Sequence, residues 1–252
     1  VIDDFSSRKN LFGFVSKGVC IAKKDARIYY FKPQILGFGI LIPAFVYLSF
    51  SLGREISPGL LVPGLVGMIS LFGASSVVAI SITIEKQAET YELLQSAPVS
   101  TAAIVLGKSL AGSAFGITLS LVTAVGAVML SGARVANPTL FVVAAVAGAF
   151  AFSALGMLVS AAVKDLPTAN MSLTALRLPM IFISGVFMPV QSLPSQLQVI
   201  SYLTPLTYLV DALQEAMMAP SIMFAVDIVA LLTSIAALQV LAIAVLKRRM
   251  QM

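Results

Sequence analysis

The sequence predicts an all-α membrane protein: six transmembrane helices, an N-terminal amphipathic interfacial helix before them, and a short outer re-entrant helical hairpin between spans five and six. Three observations carry this expectation. Of 252 residues, 59% are hydrophobic and 11% charged, whereas soluble domains run near about 45–50% and 25%. The mean hydropathy of +0.99 is more apolar surface than one globule of 26.5 kDa can hide. The apolar residues also fall in runs of about 20, the length that crosses a hydrocarbon layer of about 30 Å.

The opening 32 residues form a separate element. At helical periodicity Val15, Val19, Ala22, Ala26 and Tyr29 share one face, Lys17 and Lys24 point the opposite way and Arg27 lies to the side. This pattern predicts a helix lying on the inner leaflet, with Lys17, Lys24 and Arg27 toward anionic headgroups or an acidic partner. A solvated basic arm is the plainer alternative. The segment has no small-residue cleavage site, so no removable leader is expected.

Five runs without any Asp, Glu, Lys or Arg follow, at 33–53, 56–84, 109–133, 135–163 and 228–246. A sixth span is predicted at 166–189, interrupted by Arg177. The stretch 190–222 is poor in charge but carries Pro194, Pro205 and Pro220, which favours two short helices folded back at one surface over a span. The chain reads as a single domain over 1–252: the interfacial segment 1–32, the bundle 33–246 and a basic tail 247–252.

Six spans place both termini on one side, and basic residues identify the side. Thirteen of the 16 Lys and Arg fall in the termini and loops of that side, whereas the opposite loops hold only Arg54 and Arg134. Both termini are therefore expected in the cytoplasm, the chain being multi-pass in an inner (plasma) membrane. Histidine is absent and Cys20 is the only cysteine. Internal disulfides are thus excluded, and no metal site, catalytic residue or nucleic-acid interface is predicted.

Among soluble stretches, EKQAETYELLQSAPVS at 85–100 is the most informative. Glu85, Glu89 and Glu92 are spaced four and three apart, so a helix would carry all three on one face, with Leu93 and Leu94 among its apolar remainder. Pro98 stops that helix. An acidic helix beside an anionic leaflet is repelled by it, which favours a protein partner; a solvated connector is the alternative.

This segment resembles the coupling segment of ABC-2 type exporter permeases, whose pattern is roughly E-R-x-x-G-T-x-E-x-L-L-x-x-P-V-S. Glu85, Lys86, Thr90, Glu92, Leu94, Pro98, Val99 and Ser100 match it at or close to the family spacing, and Glu89 stands at the usual glycine position. Residues 183–213, ISGVFMPVQSLPSQLQVISYLTPLTYLVDAL, are similar to the family's fifth-span exit and outer hairpin, with Gln214 where a basic residue often closes the motif. The resemblance implies a single transmembrane permease domain that pairs with a second copy and with two cognate ATPase subunits. ATP and Mg are then bound by those partners, and this chain holds no cofactor. It also implies that Glu85, Glu89, Thr90, Glu92, Leu93, Leu94 and Pro98 dock in the ATPase, and that the two fifth spans lie near the dimer interface and export path.

Gly107-Lys108-Ser109 mimics the end of a phosphate loop, but Ala102 stands where the first glycine is required and no strand precedes it. Lys108 is expected to snorkel to the inner interface, and Gly107, Ala111, Gly112 and Gly116 to pack against a neighbouring helix. Arg177, roughly mid-bilayer, is the candidate for the export path; it should face protein, water or a counter-charge, because exposing it to lipid costs about 2.5–3.5 kcal/mol. Snorkelling and a structural pair remain open for it. Asp211 and Glu215 on the outer hairpin are outer-gate candidates. A secondary transporter or channel without an ATPase is the rival reading, for which only Arg177 and Asp227 offer ionisable groups in or near the spans.

Overall fold

The structure is a computed structural model that describes residues 2–41, 44–45, 48–49, 57–90, 100–218 and 221–249. Among them every regular element is helical. The N-terminal helix α1 (Ile2–Tyr29) is followed by a four-residue helix α2 (Pro33–Leu36) that runs into a π-helical turn over Gly37–Leu41. Beyond that turn the predicted span 33–53 lies mostly outside the described residues.

Among the described residues, four helices are long and apolar enough to cross a membrane. They are α3 (Pro58–Gln87), α4 (Thr101–Ser131), α5 (Pro138–Ala162) and α9 (Ile222–Arg249). Proline opens α3 and α5, where its missing N–H has no helical partner to lose. Ser100 caps α4, its hydroxyl accepting from the Ala103 N–H at 3.3 Å, and Gly132, at φ +65°, ends the helix in the left-handed conformation that glycine adopts without strain. The predicted start of this span at residue 109 is corrected to Thr101. A scan for charge-free runs stops at Lys108, yet the helix continues through it because that charge is neutralised internally.

Asp165 caps α6 (Leu166–Ile183), accepting from the Thr168 N–H at 2.9 Å and its hydroxyl at 3.0 Å. This helix occupies the predicted fifth span but has 18 residues, about 27 Å at 1.5 Å per residue. It is not among the four that meet the length and hydropathy of a crossing helix. After it come a 3₁₀ turn (Val190–Ser192), α7 (Ser195–Ser201) and α8 (Pro205–Met217). The predicted stretch of two short helices is thus present as α7 and α8. Their turn is fastened by hydroxyls: Thr207 donates to the Ser201 carbonyl at 2.7 Å, and Tyr208 to that of Tyr202 at 2.7 Å.

Helix α3 is the axis of the bundle, contacting α4, α5, α6 and α8. Its most apolar window is 94% buried, whereas that of α9 is 11% buried. Both helices are apolar all round, so the difference lies in the neighbours: α3 is enclosed by its own chain and α9 presents its apolar surface outward. The main core joins Val66, Leu71 and Phe72 of α3 to Phe152 of α5 and Leu209 and Leu213 of α8. A second cluster at the other end joins Ile21 of α1, Val78 and Ile82 of α3, Ile104 of α4 and Leu246 of α9.

Candidate coupling site

Where α1, the end of α3 and the start of α4 meet, four charged side chains close into a ring. Lys24 Nζ lies 3.0 Å from Asp25 Oδ1 and 2.5 Å from Glu85 Oε1; Lys108 Nζ lies 2.9 Å from Asp25 Oδ2 and 2.7 Å from Glu85 Oε2. Each carboxylate thus offers one oxygen to each lysine, and the ring carries no net charge. The side chains of Asp25 and Lys108 are fully buried, that of Glu85 nearly so, and that of Lys24 is 42% exposed. Two of the four contacts, to Asp25 Oδ1 and Glu85 Oε2, are ion-pair distances without hydrogen-bond alignment. Burial lowers the proton affinity of Lys24, but its hydrogen bond to Glu85 and the charge of Asp25 outweigh this and hold its ammonium above the ordinary value. Burial, with the Glu85 and Asp25 charges, also pushes the Tyr29 phenol up.

Small residues let α1 come this close. A Cβ on Gly107 would lie 2.6 Å from the Gly18 carbonyl oxygen and 2.8 Å from Ile21 Cβ, so the two helices touch backbone to backbone. Tyr30 extends the contact, donating to the Ala111 carbonyl at 2.7 Å with its ring 4.8 Å from that of Phe115. The face of α1 that meets protein runs through Ile21, Asp25 and Tyr29, all buried, whereas Val19 is half exposed. Relative to the predicted apolar face, the buried stripe is therefore rotated, with an aspartate at its centre. Lys17 and Arg27 are exposed as expected. Lys24 is corrected: it reaches into the ring instead of pointing away from it.

The snorkelling expected of Lys108 is likewise corrected, because Asp25 and Glu85 neutralise it in place. Its pairing also removes the lysine of Gly107-Lys108-Ser109 from any phosphate-binding role. Gly107, Ala111, Gly112 and Gly116 do pack as expected: Gly107 faces α1, and Gly112 and Gly116 face α3 and α5.

The predicted acidic face of 85–92 is divided by the structure. Glu85 is 4% exposed and turned into the ring, so the expectation that it shares one face with Glu89 is corrected. Glu89 is exposed and sits at φ +57°, the left-handed region that favours glycine. At the position where the resembling family usually has glycine, this chain thus holds a glutamate in a conformation that glycine favours. The Thr90 hydroxyl donates to the Glu85 carbonyl at 3.3 Å. Glu92, Leu93, Leu94 and Pro98 lie outside the described residues. Next to Glu85, Lys86 donates to the carbonyls of Ser160 at 2.6 Å and Val163 at 2.9 Å, at the end of α5.

Arg177, 1% exposed, lies eleven residues into α6 and is enclosed against α3. It donates to Ser75 Oγ at 2.6 Å and Ser76 Oγ at 3.0 Å, and its guanidinium carbon stands 4.8 Å from the centre of the Phe72 ring. Hydroxyls and an aromatic face thus satisfy this cation within protein. Asp211 and Glu215 sit together on α8. The Glu215 carboxylate accepts from the Ser221 N–H at 3.0 Å and hydroxyl at 2.8 Å, tying α8 to the start of α9. Burial, then the neighbouring Glu215 charge, push the Asp211 carboxyl up to about 6.

The sequence reading missed Asp25 and, as an ion-pair member, Lys108. A signal for Asp25 existed, since it is the one acidic residue in the basic run 17–32. Its partner could not be found by spacing, because the two residues are 83 positions apart.

Comparison with known proteins gives the following matches. A family model described as ABC-2 type transporter matches residues 17–218. Two similar curated proteins come from Escherichia coli (strain K12). One is the probable multidrug ABC transporter permease YbhR, 25% identical over 157 residues, which are 61% of this chain and 42% of that protein. The other is the probable multidrug ABC transporter permease YbhS, 25% identical over 170 residues, 66% of this chain and 45% of that protein. The chain spans less than half the length of either relative.

Proposed function

Since the chain belongs to the ABC-2 type transporter family, we propose that it is the transmembrane subunit of an ATP-driven exporter. In this reading two copies form the export path, and separate ATPase subunits bind ATP and Mg and do the hydrolysis. The chain crosses the inner (plasma) membrane six times with both termini in the cytoplasm, the spans being the four long helices, α6 and the segment 33–53. The basic residues, gathered in the termini and the loops of one side, support that orientation. Helices α7 and α8 form the re-entrant hairpin, and Asp211 and Glu215 belong to the outer gate. The similarity to probable multidrug ABC transporter permeases favours a drug-like cargo.

One observation carries the reading. The segment that resembles the family's coupling element begins at Glu85, and Glu85 is fastened through the ring to α1 and α4. A displacement delivered to residues 89–98 by an ATPase therefore reaches two helices through a charge-balanced, buried contact. In this reading Glu89, Thr90, Glu92, Leu93, Leu94 and Pro98 dock on the ATPase together with Lys17 and Arg27 of α1, and Glu85 is the anchor. Arg177 serves in this scheme as a pin that keeps α6, the element beside the path, in register with α3. The test is Glu92→Lys in the assembled complex. Co-purification of the ATPase, and its stimulation, should fall while the chain still inserts. Unchanged association and unchanged transport-linked hydrolysis would refute the docking assignment.

A further inference from the structure

A cavity of about 610 Å3 opens between α8 and the first turns of α9. It lies far from the ion ring: Ala242 of α9 packs in the cluster beside Ile21, and Asp227 precedes it by 15 residues, about 22 Å of helix. The volume is that of a small-molecule site. Three carboxylates line it, those of Asp211, Glu215 and Asp227. Glu215 is occupied by Ser221. Asp227 is 7% exposed, aims into the cavity, and has no hydrogen bond or ion pair among the described residues. Asp211 has no cationic partner among them either. Arg134 sits on the turn whose backbone bonds to the end of α8, through Asn137 N–H to the Ala216 carbonyl at 3.0 Å, yet it makes no ion pair with these acids.

An unpaired carboxylate with so little exposure, open only to the cavity, is favoured by a ligand that brings positive charge. The lining indicates which kind of cation. Met218, Met223 and Val226 give the cavity an apolar, exposed rim, and Tyr208, held by its bond to the Tyr202 carbonyl, adds an aromatic wall. Aromatic faces attract ammonium groups and apolar rims attract hydrocarbon. Among the described residues no set of three acids converges as metal ligands. Helix α9 is apolar enough to cross a membrane, so the rim adjoins its outward-facing apolar surface.

We propose that this cavity binds an amphipathic organic amine, its ammonium between Asp211 and Asp227 and its apolar body against Met218, Met223 and the Tyr208 ring. The site needs no ATPase to bind, so it stands or falls apart from the exporter reading. Asp211 faces Glu215 and Tyr208 on its own helix, Tyr202 before it and Asp227 across the cavity. Because its carboxyl is pushed up to about 6, affinity for the amine should strengthen as pH rises through that value.

The probe is dansylcadaverine, a fluorescent primary amine, titrated at equilibrium against the intact chain in phosphatidylcholine nanodiscs without ATPase. N-butyl dansylamide is the uncharged control. Saturable binding is expected for the amine and not for the control, and millimolar calcium should not compete. Asp227→Asn and Asp211→Asn should each weaken binding about tenfold or more. Met218→Arg, at an exposed position on the rim, should abolish it by supplying an internal guanidinium; this variant decides the question if an Asn variant fails to assemble as judged by gel filtration. Unchanged affinity in the folded variants, equal binding of the uncharged control, or displacement by calcium would each overturn the proposal.

Discussion

Lys108→Met is the sharpest perturbation of the coupling site. It removes one cation from a neutral ring and leaves Asp25 and Glu85 sharing Lys24 alone, a net negative charge at a place where Asp25 is fully buried. Deleting one partner of a buried ion pair costs about 3–5 kcal/mol. Methionine retains most of the lysine stem, so lost packing contributes little beyond that. Lys24→Met should cost less, because its side chain is 42% exposed and water already screens its contacts in the intact ring. The double variant Asp25→Asn with Lys108→Met restores neutrality through Lys24 and Glu85. Its cost should fall short of the sum of the two single costs by up to about 3 kcal/mol. The assay is reversible denaturant unfolding of the purified chain in detergent, read by helical signal, across the four corners of the cycle. The reasoning is refuted if Lys108→Met is no worse than Lys24→Met, or if the double cost equals the sum.

Three further outcomes are expected. Glu89→Gly should raise stability by about 0.5–1 kcal/mol by relieving a side chain held at φ +57°; a lower unfolding midpoint would contradict the turn assignment. Arg177→Lys should lower the folded yield, because an ammonium cannot reproduce the fork that grips Ser75 and Ser76, and Arg177→Ala should lower it further; a fully assembled alanine variant that has lost only transport would instead place the residue in the export path. Single cysteines at Ser7 and Gln251, in a Cys20→Ser background, should resist an impermeant thiol reagent in intact cells, while those at Ser131 and Gln196 react. Labelling of either terminus from outside would reverse the orientation.

Much of the architecture was legible because lipid imposes a coarse rule: apolar runs of fixed length become helices, and α3, α4, α5 and α9 obey it. The errors lie where one charge is judged without its distant partner. Lys108 cut the predicted third span short because Asp25, 83 positions away, is invisible to any window of residues. Glu85 was assigned to an external face because helical spacing groups it with Glu89, whereas tertiary contact with two lysines turns it inward. Arg177 was expected to face protein, water or a counter-charge, and its hydroxyl partners in α3 carry no charge pattern by which a sequence could announce them.

Glu85 and Lys86 are neighbours that hold different helices. One faces α1 and α4 through the ring, and the other is bonded to the end of α5. Adjacent positions on a helix point about 100° apart, so the last turn of α3 is braced from two directions. In the coupling scheme proposed above, this turn would be the fulcrum for a load arriving from an ATPase, and the two braces would share that load among three helices. With one brace cut, docking would survive while the turn slipped against its support. Grip and torque would then be separable: a permease could hold its motor firmly and still transmit none of its work.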